Sequence, residues 1–268
     1  MQDAFSTADL ALARRIEAAE AANGFAIARA IAAASPELNA AAEPFLGGVA
    51  MFGGVGSPMT HALGMGMCGP IDEAELDRME AFFRDRGSPV LIDLCPMADM
   101  GLISRIVARG YRLIEFNNVM VRRIAPGEQI PAPAMDVELA GECDLELWNR
   151  TIARGFQEID DVDEAVLAML SGSAAASRCY LVRIGGEPAG GGAMSVHDGV
   201  AAFYGDSTVL RSRRQGVQLA TLQARLRDAA DAGADLAMAC VLPGSGSHRN
   251  YEKAGFRLFF MRVNLMLP

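Results

Sequence analysis

The chain has 268 residues, of which 51% are hydrophobic and 21% are charged, and its formal net charge is −9. This composition is that of a globular protein, and the length allows one large domain or two of ordinary size. The negative charge argues against a general binder of nucleic acids or anionic membranes, because such a protein needs a basic surface.

Cysteine and histidine usage argues against disulfides and metal sites. The five cysteines are scattered without a CxxC pair, and His61, His197 and His248 are not at metal-ligand spacing. This pattern favours reduced thiols and predicts that no metal is bound. The N-terminus is charged where a signal peptide needs an apolar stretch, and the apolar run from Gly24 to Ala34 is too short to span a bilayer. We therefore expect a cytoplasmic protein that contacts neither membrane nor nucleic acid.

The first half of the chain alternates between helix and strand patterns. An Ala-rich helix is predicted from about Thr7 to Ala34, and the Gly-interrupted runs "FLGGVAMFGGVG" and "HALGMGMCG" follow as strands. "IDEAELDRMEAFFRDRG" has acids in its first turn and ends at Gly87, which is typical of a helix. The remaining patterns predict a buried strand, a second helix and a long strand, in the order "PVLIDLC", "MGLISRIVARG" and "YRLIEFNNVMVRR".

The segment 124–136, "IAPGEQIPAPAMD", is the best candidate for a linker. Its three prolines and one glycine disfavour both helix and sheet, and the hydrophobic pattern restarts after it. We therefore predict a first domain over residues 1–125, a linker over 126–135 and a second domain over 136–268.

The second half repeats the order of elements. "DLELWNRTIARGF" and "DEAVLAMLSG" predict helices, and the run from Ser177 to Leu210 predicts three antiparallel strands joined at "GGEP" and "HDG". "GVQLATLQARLRDAADAG" predicts an amphipathic helix that ends at Gly233. A strand, a short helix and a last strand complete the chain, as "DLAMACV", "SHRNYEKAG" and "FRLFFMRVNLML".

The two halves can be superimposed at one offset. Cys95 and Cys240 are 145 residues apart (240 − 95), and so are Gly110 and Gly255 (255 − 110). At this offset "GYRL" lies opposite "GFRL". Because the order of elements also repeats, the sequence favours an internal duplication.

Three arginines and a glycine precede the amphipathic helix in "RSRRQGVQLATL", residues 211–222. If a strand ends before the loop Arg211–Gly216 and a helix begins after it, the loop lies at a helix N-terminus, where free N–H groups favour an anion. Gly216 permits close approach of the backbone, and Arg213 and Arg214 add charge for phosphate oxygens. The loop is neither a Walker loop nor a dinucleotide fingerprint. It is a candidate pyrophosphate site, and the alternative is an ordinary turn.

Two motifs of this half resemble those of the GCN5-related N-acetyltransferases (GNAT). Their pyrophosphate loop, Arg/Gln-x-x-Gly-x-Gly/Ala, is matched by Arg213-x-x-Gly216-x-Gln218, with Gln218 in place of the usual small residue. Their second signature, Tyr-Glu-x-x-Gly-Phe at the end of a helix, is matched by "YEKAGF" from Tyr251 to Phe256. One predicted strand lies between the motifs, and the resemblance covers roughly residues 136–268.

The resemblance implies an α/β fold of the α+β type with two GNAT-like domains, each a mixed, mostly antiparallel twisted sheet flanked by helices. It also implies acetyl-CoA as the acyl donor, no metal, and an amine on a small molecule or peptide as the acceptor. The strand 206–210 would bind the acetyl carbonyl and the pantetheine arm through its backbone, in a notch opened by its separation from "LAMACV". The residues implied in cofactor binding are Thr208, Val209, Leu210, Arg213, Arg214, Gln215, Gly216, Val217 and Gln218.

Acetyl transfer needs a neutral amine, a polarised thioester and a proton for the departing thiolate. The resemblance makes Tyr251 the general acid, since a phenol is protonated at neutral pH; alternatively its ring only packs under the last strand. A primary amine with a pKa of about 10 is mostly protonated at pH 7, so a base is also needed. Tyr204, Asp206 and Glu158 are candidates, each with a structural alternative, and Cys240 is expected to be a structural thiol.

The first half lacks these features. At the position of the arginine loop it has "GMGMCGPIDEAELDRM", without Arg-x-x-Gly and with acids that disfavour a pyrophosphate. At the position of Tyr251 it has Ile106, which has no proton to donate. We therefore expect a degenerate N-terminal copy of the same fold.

Two functions of different classes follow. The first is an N-acetyltransferase with one cofactor site in residues 136–268, where the amine attacks acetyl-CoA directly in a ternary complex. The second is a non-catalytic module that binds CoA or another ligand. A third hypothesis, a tandem-fold aminoacyltransferase of cell-wall type, predicts contact with tRNA, which the acidic charge disfavours. The acceptor is not specified by the sequence, and both a monomer and a homodimer remain open.

Overall fold

A computed structural model describes residues 9–158 and 162–268. The described helices are α1 (Leu10–Ala34), α2 (Glu73–Arg84), α3 (Met100–Ala108), α4 (Leu145–Gln157), α5 (Glu164–Ala175), α6 (Val217–Asp231) and α7 (Gly246–Lys253). The described strands are β1 (Ala41–Phe45), β2 (Gly48–Phe52), β3 (His61–Leu63), β4 (Val90–Leu94), β5 (Arg112–Arg123), β6 (Val137–Leu139), β7 (Arg178–Ile184), β8 (Glu187–His197), β9 (Val200–Thr208), β10 (Leu236–Val241) and β11 (Arg257–Leu267). The chain has the expected α/β fold, with a mostly antiparallel sheet flanked by helices.

Two compact units make up the chain. Unit 1 consists of Met1–Val119 and Leu258–Pro268, and unit 2 of Met120–Arg257. Among the described residues, every helix is too short or too polar to cross a lipid bilayer.

Unit 1 has strand order β1-β2-β3-β4-β11-β5. β1, β2 and β3 are antiparallel neighbours, β3 and β4 run parallel, and β4 pairs antiparallel with β11 through Leu94 and Val263. Helix α1 covers β2 with an Ala-rich face that includes Ala21, and Gly24 fits closely against Val49. Small residues in the helix therefore allow its backbone to approach the sheet.

Unit 2 repeats this order of pairings. β7, β8 and β9 are antiparallel neighbours, β9 and β10 run parallel, and β6 pairs antiparallel with β7 at the edge. β10 in turn neighbours β5, whose residues from Met120 onward belong to this unit. Helices α4 and α6 both pack on β8 and β9, and the apolar side of α6 contributes Leu222, Leu226 and Ala229 to the core. The repeated pattern agrees with the duplication predicted from the sequence.

Two strands were not expected from the sequence. β1 contains Pro44 and β6 has only three residues, and neither shows a clear alternation of apolar and polar side chains. Each is the edge strand of its unit, where proline is tolerated because one side of the strand needs no ladder hydrogen bonds. Each of these strands is defined by its hydrogen bonds to the neighbouring strand, so its own sequence pattern does not predict it.

The domain boundaries predicted from the sequence, 1–125 and 136–268 with a linker at 126–135, stay a prediction. The compact units include residues 258–268 in unit 1, because β11 pairs there with β4. They include residues 120–135 in unit 2, where Ile124 and Ile130 are buried in the core. As expected, the proline-rich segment 124–136 forms neither helix nor strand.

Candidate active site

The pairing between the parallel strands β9 and β10 of unit 2 stops before either strand ends. The register between β9 and β10 runs from Val200 opposite Leu236 to Phe203 opposite Ala239. β9 continues to Thr208, and its pairing with β8 is irregular at Gly205, which has φ of 66°. The bulge thus lies in the part of β9 beyond its register with β10, where we predicted that the two strands diverge.

The arginine loop lies between the end of β9 and the start of α6. A short 3-10 turn, Leu210–Ser212, follows the strand, and Gly216 is the N-cap of α6 with φ of 92°. A side chain is strained in this conformation, which accounts for glycine. The loop residues 213–216 are exposed, and the first N–H groups of α6 point out of the helix end. The geometry is that of an anion site at a helix N-terminus.

The two central arginines of the loop have different surroundings. The guanidinium of Arg213 donates to Glu158 Oε1 at 2.7 Å and to the carbonyl of Gly155 at 3.1 Å, so it fastens the loop to the end of α4. Arg214 is exposed, and within the described chain its side chain makes no hydrogen bond or ion pair. Arg214 is therefore the arginine available to a phosphate, although the sequence assigned both this role.

Gln218, the departure from the family pattern, joins two helices. Its Nε2 donates to Ser247 Oγ at 2.7 Å, and its Oε1 accepts from Asn250 Nδ2 at 2.8 Å. The side chain is thereby drawn towards α7 rather than across the first turn of α6. The residue that replaces the usual small one thus has a structural role that leaves the helix N-terminus accessible.

Tyr251, the acid implied by the resemblance, is buried beside a carboxylate. Its side chain is 1% exposed, its ring packs edge-on against Phe256, and its hydroxyl donates to Asp206 Oδ2 at 2.5 Å. Burial and then the charge of Asp206 raise the pKa of Tyr251 well above that of a free tyrosine. The phenol therefore keeps its proton over the whole physiological range.

The second oxygen of Asp206 is paired with Arg225. This arginine of α6 is fully buried, and its guanidinium also donates to the carbonyl of Ala193 at 2.9 Å and stacks over the ring of Phe203 at 4.6 Å. Burial opposes its charge, but the charge of Asp206 and the hydrogen bond to it outweigh burial and raise the pKa of Arg225. Asp206 is thus held from two sides while its side chain stays 11% exposed.

The other residues proposed from the sequence lie in less suitable places. Tyr204 shares a 2.7 Å hydrogen bond with Ser177 Oγ, and Glu158 is 55% exposed and paired with Arg213. Cys240 is exposed near the end of β10, not buried as a structural thiol is expected to be. His248, which the sequence did not suggest as a site residue, accepts from the backbone N–H of Gly244 in the turn before α7, which is the contact of a capping residue.

Arg225 was missed by reasoning from sequence. A signal was present, because Leu222, Arg225, Leu226 and Ala229 share the apolar side of α6 at helical spacing. A charge on such a side needs a buried partner. The space for it comes from Gly192 on β8, where a Cβ atom would lie 2.9 Å from the guanidinium.

Unit 1 differs from unit 2 at the positions that correspond to Tyr251 and to the arginine loop. Ile106 is buried at the position that corresponds to Tyr251. Helix α2 begins with Asp72 as its side-chain cap and carries Glu73 and Glu75 in its first turn, so carboxylates already occupy the helix N-terminus. Among the described residues, no cluster of three His, Cys, Asp or Glu side chains could hold a metal ion.

Similarity to known proteins is found in structure and not in sequence. Neither a protein-family model nor a curated protein sequence matches the chain. A GCN5-related N-acetyltransferase from Kribbella flavida is 20% identical, with a TM-score of 0.64 over 89% of this chain and 95% of the other. A GCN5-related N-acetyltransferase from Sphaerobacter thermophilus is 17% identical, with a TM-score of 0.57 over 72% of this chain; the match spans 66% of that protein, just under two thirds.

A third solved structure bears on the arrangement of the chain. A tandem GNAT protein from the clavulanic acid biosynthesis pathway is 14% identical, with a TM-score of 0.58 over 98% of this chain and 96% of the other. At such identities the likeness is one of fold. The chain therefore has the fold of the GCN5-related N-acetyltransferases, in an arrangement that matches a tandem protein of this kind along almost its whole length.

Proposed function

We propose that unit 2 binds acetyl-CoA and transfers its acetyl group to an amine on a small molecule or peptide. The observation that carries the proposal is the exposed loop ending at Gly216, which presents the N-terminus of α6 beside the notch between β9 and β10. An anionic group and an extended arm would be held by adjacent parts of one surface. This is the arrangement that a pyrophosphate with a pantetheine chain requires.

The residues of unit 2 would divide the binding between them. The N–H groups from Gly216 to Gln218 and the guanidinium of Arg214 would hold phosphate oxygens. The backbone of β9 from Asp206 to Thr208, with Val209 and Leu210 after it, would contact the arm. Backbone N–H groups of this segment that are not bonded to β8 would stabilise the charge that develops on the carbonyl oxygen. Acetyl-CoA supplies the thioester, whose carbonyl carbon is the electrophile.

Calorimetry with acetyl-CoA tests the binding part of this proposal. Gly216→Trp should reduce affinity at least about tenfold, because it blocks the loop and disturbs the N-cap of α6. The matched control is Gly233→Trp at the other end of the same helix, where φ is 77° and a Cβ atom meets nothing within 4 Å. It carries a similar backbone strain and should bind like wild type. An equal loss of acetyl-CoA affinity in both variants, or no acetyl-CoA binding by the wild-type protein, would contradict the proposed site.

Substituting the two arginines one at a time distinguishes a contact with phosphate from a role in holding the loop in place. Arg214→Ala should weaken acetyl-CoA binding roughly tenfold at low salt, and the difference from wild type should shrink as ionic strength rises. Arg213→Ala removes the bonds to Glu158 and to the carbonyl of Gly155, and part of its effect on affinity should persist at high salt, because the bond to the carbonyl is not an ion pair. A salt-independent effect of Arg214→Ala would rule out a phosphate contact.

Turnover is tested with acetyl-CoA and a panel of primary amines, namely methylamine, benzylamine, spermidine and a lysine-containing peptide. Products should be separated by chromatography, because the exposed Cys68, Cys143 and Cys240 would react with thiol reagents. An acetylated amine formed together with free CoA supports the transferase. Tight binding without turnover for any amine would favour a non-catalytic CoA-binding module instead.

A further inference from the structure

Resting on the proposed binding of acetyl-CoA, we propose that Gly155 of α4 is a positioning residue for the acyl donor. Because it has no side chain, the last turn of α4 lies directly on Ser207 and Thr208 at the end of β9. This end of β9 and the arginine loop would both contact acetyl-CoA, and α4 holds the two together. The sequence did not suggest Gly155 as a site residue.

The first observation is the close approach of α4 to β9. A Cβ atom at Gly155 would overlap Ser207 Oγ and would lie 3.0 Å from the backbone N and C atoms of Thr208. Gly155 lies inside α4 and its φ is not positive, so space rather than conformation accounts for the glycine. Glycine weakens the interior of a helix, and a glycine there has a reason in packing or function. Here the packing is against the strand segment that would hold the pantetheine arm.

The second observation is that carbonyl groups near the end of α4 are bonded to both parts of the donor surface. The hydroxyl of Ser207 donates to the carbonyl of Ile152 at 2.8 Å. The guanidinium of Arg213 donates to the carbonyl of Gly155 at 3.1 Å and to the carbonyl of Thr208 at 3.3 Å. One side chain of the arginine loop is therefore bonded to α4 and to the end of β9.

The neighbouring elements leave the end of β9 little freedom to move aside. Gly190 of β8 pairs with Thr208, and a Cβ atom at Gly190 would overlap the carbonyl oxygen of Ser207. The segment is thus enclosed between α4 and β8. Helix α4 is itself attached to the sheet by Trp148, which is buried and donates to the carbonyl of Tyr180 at 3.1 Å.

A methyl group at residue 155 would therefore displace one of two elements, and either displacement disturbs the donor surface. If β9 moves, the backbone of Ser207 and Thr208 leaves the place where it would contact the arm. If α4 moves, Arg213 moves with it, because its guanidinium is bonded to the carbonyl of Gly155 and to Glu158. Gly155 thus acts on the donor through β9 and through the arginine loop.

Calorimetry with acetyl-CoA tests this role. Gly155→Ala should weaken binding at least about tenfold, because small displacements of binding groups have large effects, even though alanine is the better helix former. The matched control is Gly246→Ala in α7 of the same unit, where a Cβ atom would meet only Arg249 Nη2, at 3.9 Å. This variant should bind acetyl-CoA with an affinity within about threefold of wild type.

A second substitution distinguishes positioning from a general loss of structure. Ser207→Ala removes the atom that a methyl group at residue 155 would overlap, so the double variant should bind acetyl-CoA at least about fivefold more tightly than Gly155→Ala alone. If Gly155→Ala only weakened the fold, loss of the hydrogen bond from Ser207 to Ile152 would weaken it further. A double variant that binds no more tightly than Gly155→Ala would contradict the positioning role.

Hydrogen exchange on the wild-type protein tests the same role even if Gly155→Ala does not fold. Addition of acetyl-CoA should slow exchange of the amides at residues 152–157, because the end of α4 is bonded to both parts of the donor surface. Amides in α1 of unit 1 should exchange at the same rate with and without acetyl-CoA. Exchange in α4 that does not change when acetyl-CoA binds would overturn the positioning role.

The outcomes distinguish the two proposals. A wild-type protein that does not bind acetyl-CoA overturns the proposed function and the role of Gly155 with it. If the wild-type protein binds acetyl-CoA and Gly155→Ala binds it equally well, the role of Gly155 alone is overturned.

Discussion

Glu17 of α1 is a buried carboxylic acid in unit 1, 1% exposed and bonded to Arg262 at 2.6 Å. Burial, which outweighs the charge of Arg262, raises the pKa of Glu17 to about 7; Glu20 and Asp93 add to this effect. The guanidinium is shared with Glu20, so one cation serves two acids. A proton on Glu17 removes one of the two negative charges that the single guanidinium would otherwise have to balance.

The sign of the resulting pH dependence follows from linkage. The folded chain holds a proton on Glu17 between its ordinary pKa, near 4.5, and its raised value near 7, and the unfolded chain does not. Unit 1 should therefore lose stability as pH rises through this window, by a few kcal/mol at most. The pKa of His61 is also raised, since Asp93 outweighs its burial, and this adds a loss of the same sign.

Urea unfolding at pH 5, 6, 7 and 8 checks this prediction. Glu17→Gln should flatten the decline between pH 5 and pH 7, because glutamine does not titrate. His61→Gln serves as the control that retains the Glu17 contribution. A slope that is identical in wild type and Glu17→Gln would show that the carboxyl is already ionised at low pH.

Sequence patterns predicted the position of a residue where its type and spacing define local structure. Gly216 is the N-cap of α6, as its place before an amphipathic helix predicted, and Tyr251 lies in α7, as its motif predicted. The sequence did not predict the partners of Arg213 and Arg225, which are Glu158 and Asp206, 55 and 19 residues away. No local pattern specifies such pairs, since they are created by packing of α4 and α6 against β9.

Among the elements, β9 controls the candidate site through its bulge. Gly205 has φ of 66°, and the residues on its two sides are Tyr204, which pairs with Ala193 on β8, and Asp206, which faces Arg225. A Cβ atom at Gly205 would meet only ordinary contacts at 3.7 Å, so the requirement for glycine is one of conformation. The bulge thus sets the direction of the Asp206 side chain.

Gly205→Ala should therefore affect both stability and turnover. A left-handed conformation costs an L-residue about 1–2 kcal/mol, and relief of that strain would rotate Asp206 away from Tyr251. Gly186→Ala, in the β7–β8 turn with φ of 85° and open space around it, is the matched control. Both variants should unfold at lower urea concentration, and only Gly205→Ala should lower kcat. Equal kcat values would show that the bulge is dispensable for the site.

The order of elements could be predicted well because the long strands and amphipathic helices carry strong periodicity. α6, β10, α7 and β11 all lie where the sequence placed them. The pairing of β11 could not be predicted, because strand order depends on contacts between residues far apart in the chain. The sequence suggested that β11 belongs with the second half, whereas the compact units place it with the first.

At the scale of the whole molecule, unit 1 is discontinuous. Its last strand, β11, follows all of unit 2 in the chain, and Arg262 on that strand is bonded to Glu17, 245 residues earlier. Closing such a contact is entropically unfavourable, and the edge of β4 stays open until β11 is present. Unit 1 therefore completes its fold only after β11 is synthesised.

A chain that ends at Arg257 tests this dependence. Removal of 258–268 leaves Glu17 without its guanidinium partner, which for a buried pair costs about 3–5 kcal/mol, and exposes β4. Hydrogen exchange should show that amide protection in α1 and β4 is lost, while protection in β9 and β10 persists, because unit 2 keeps its own core. A chain lacking only Pro268, which lies beyond β11, should exchange like wild type. If amide protection in β4 survived the loss of β11, unit 1 would be stable without its last strand. The ion pair between Glu17 and Arg262 would then not be required for unit 1 to fold.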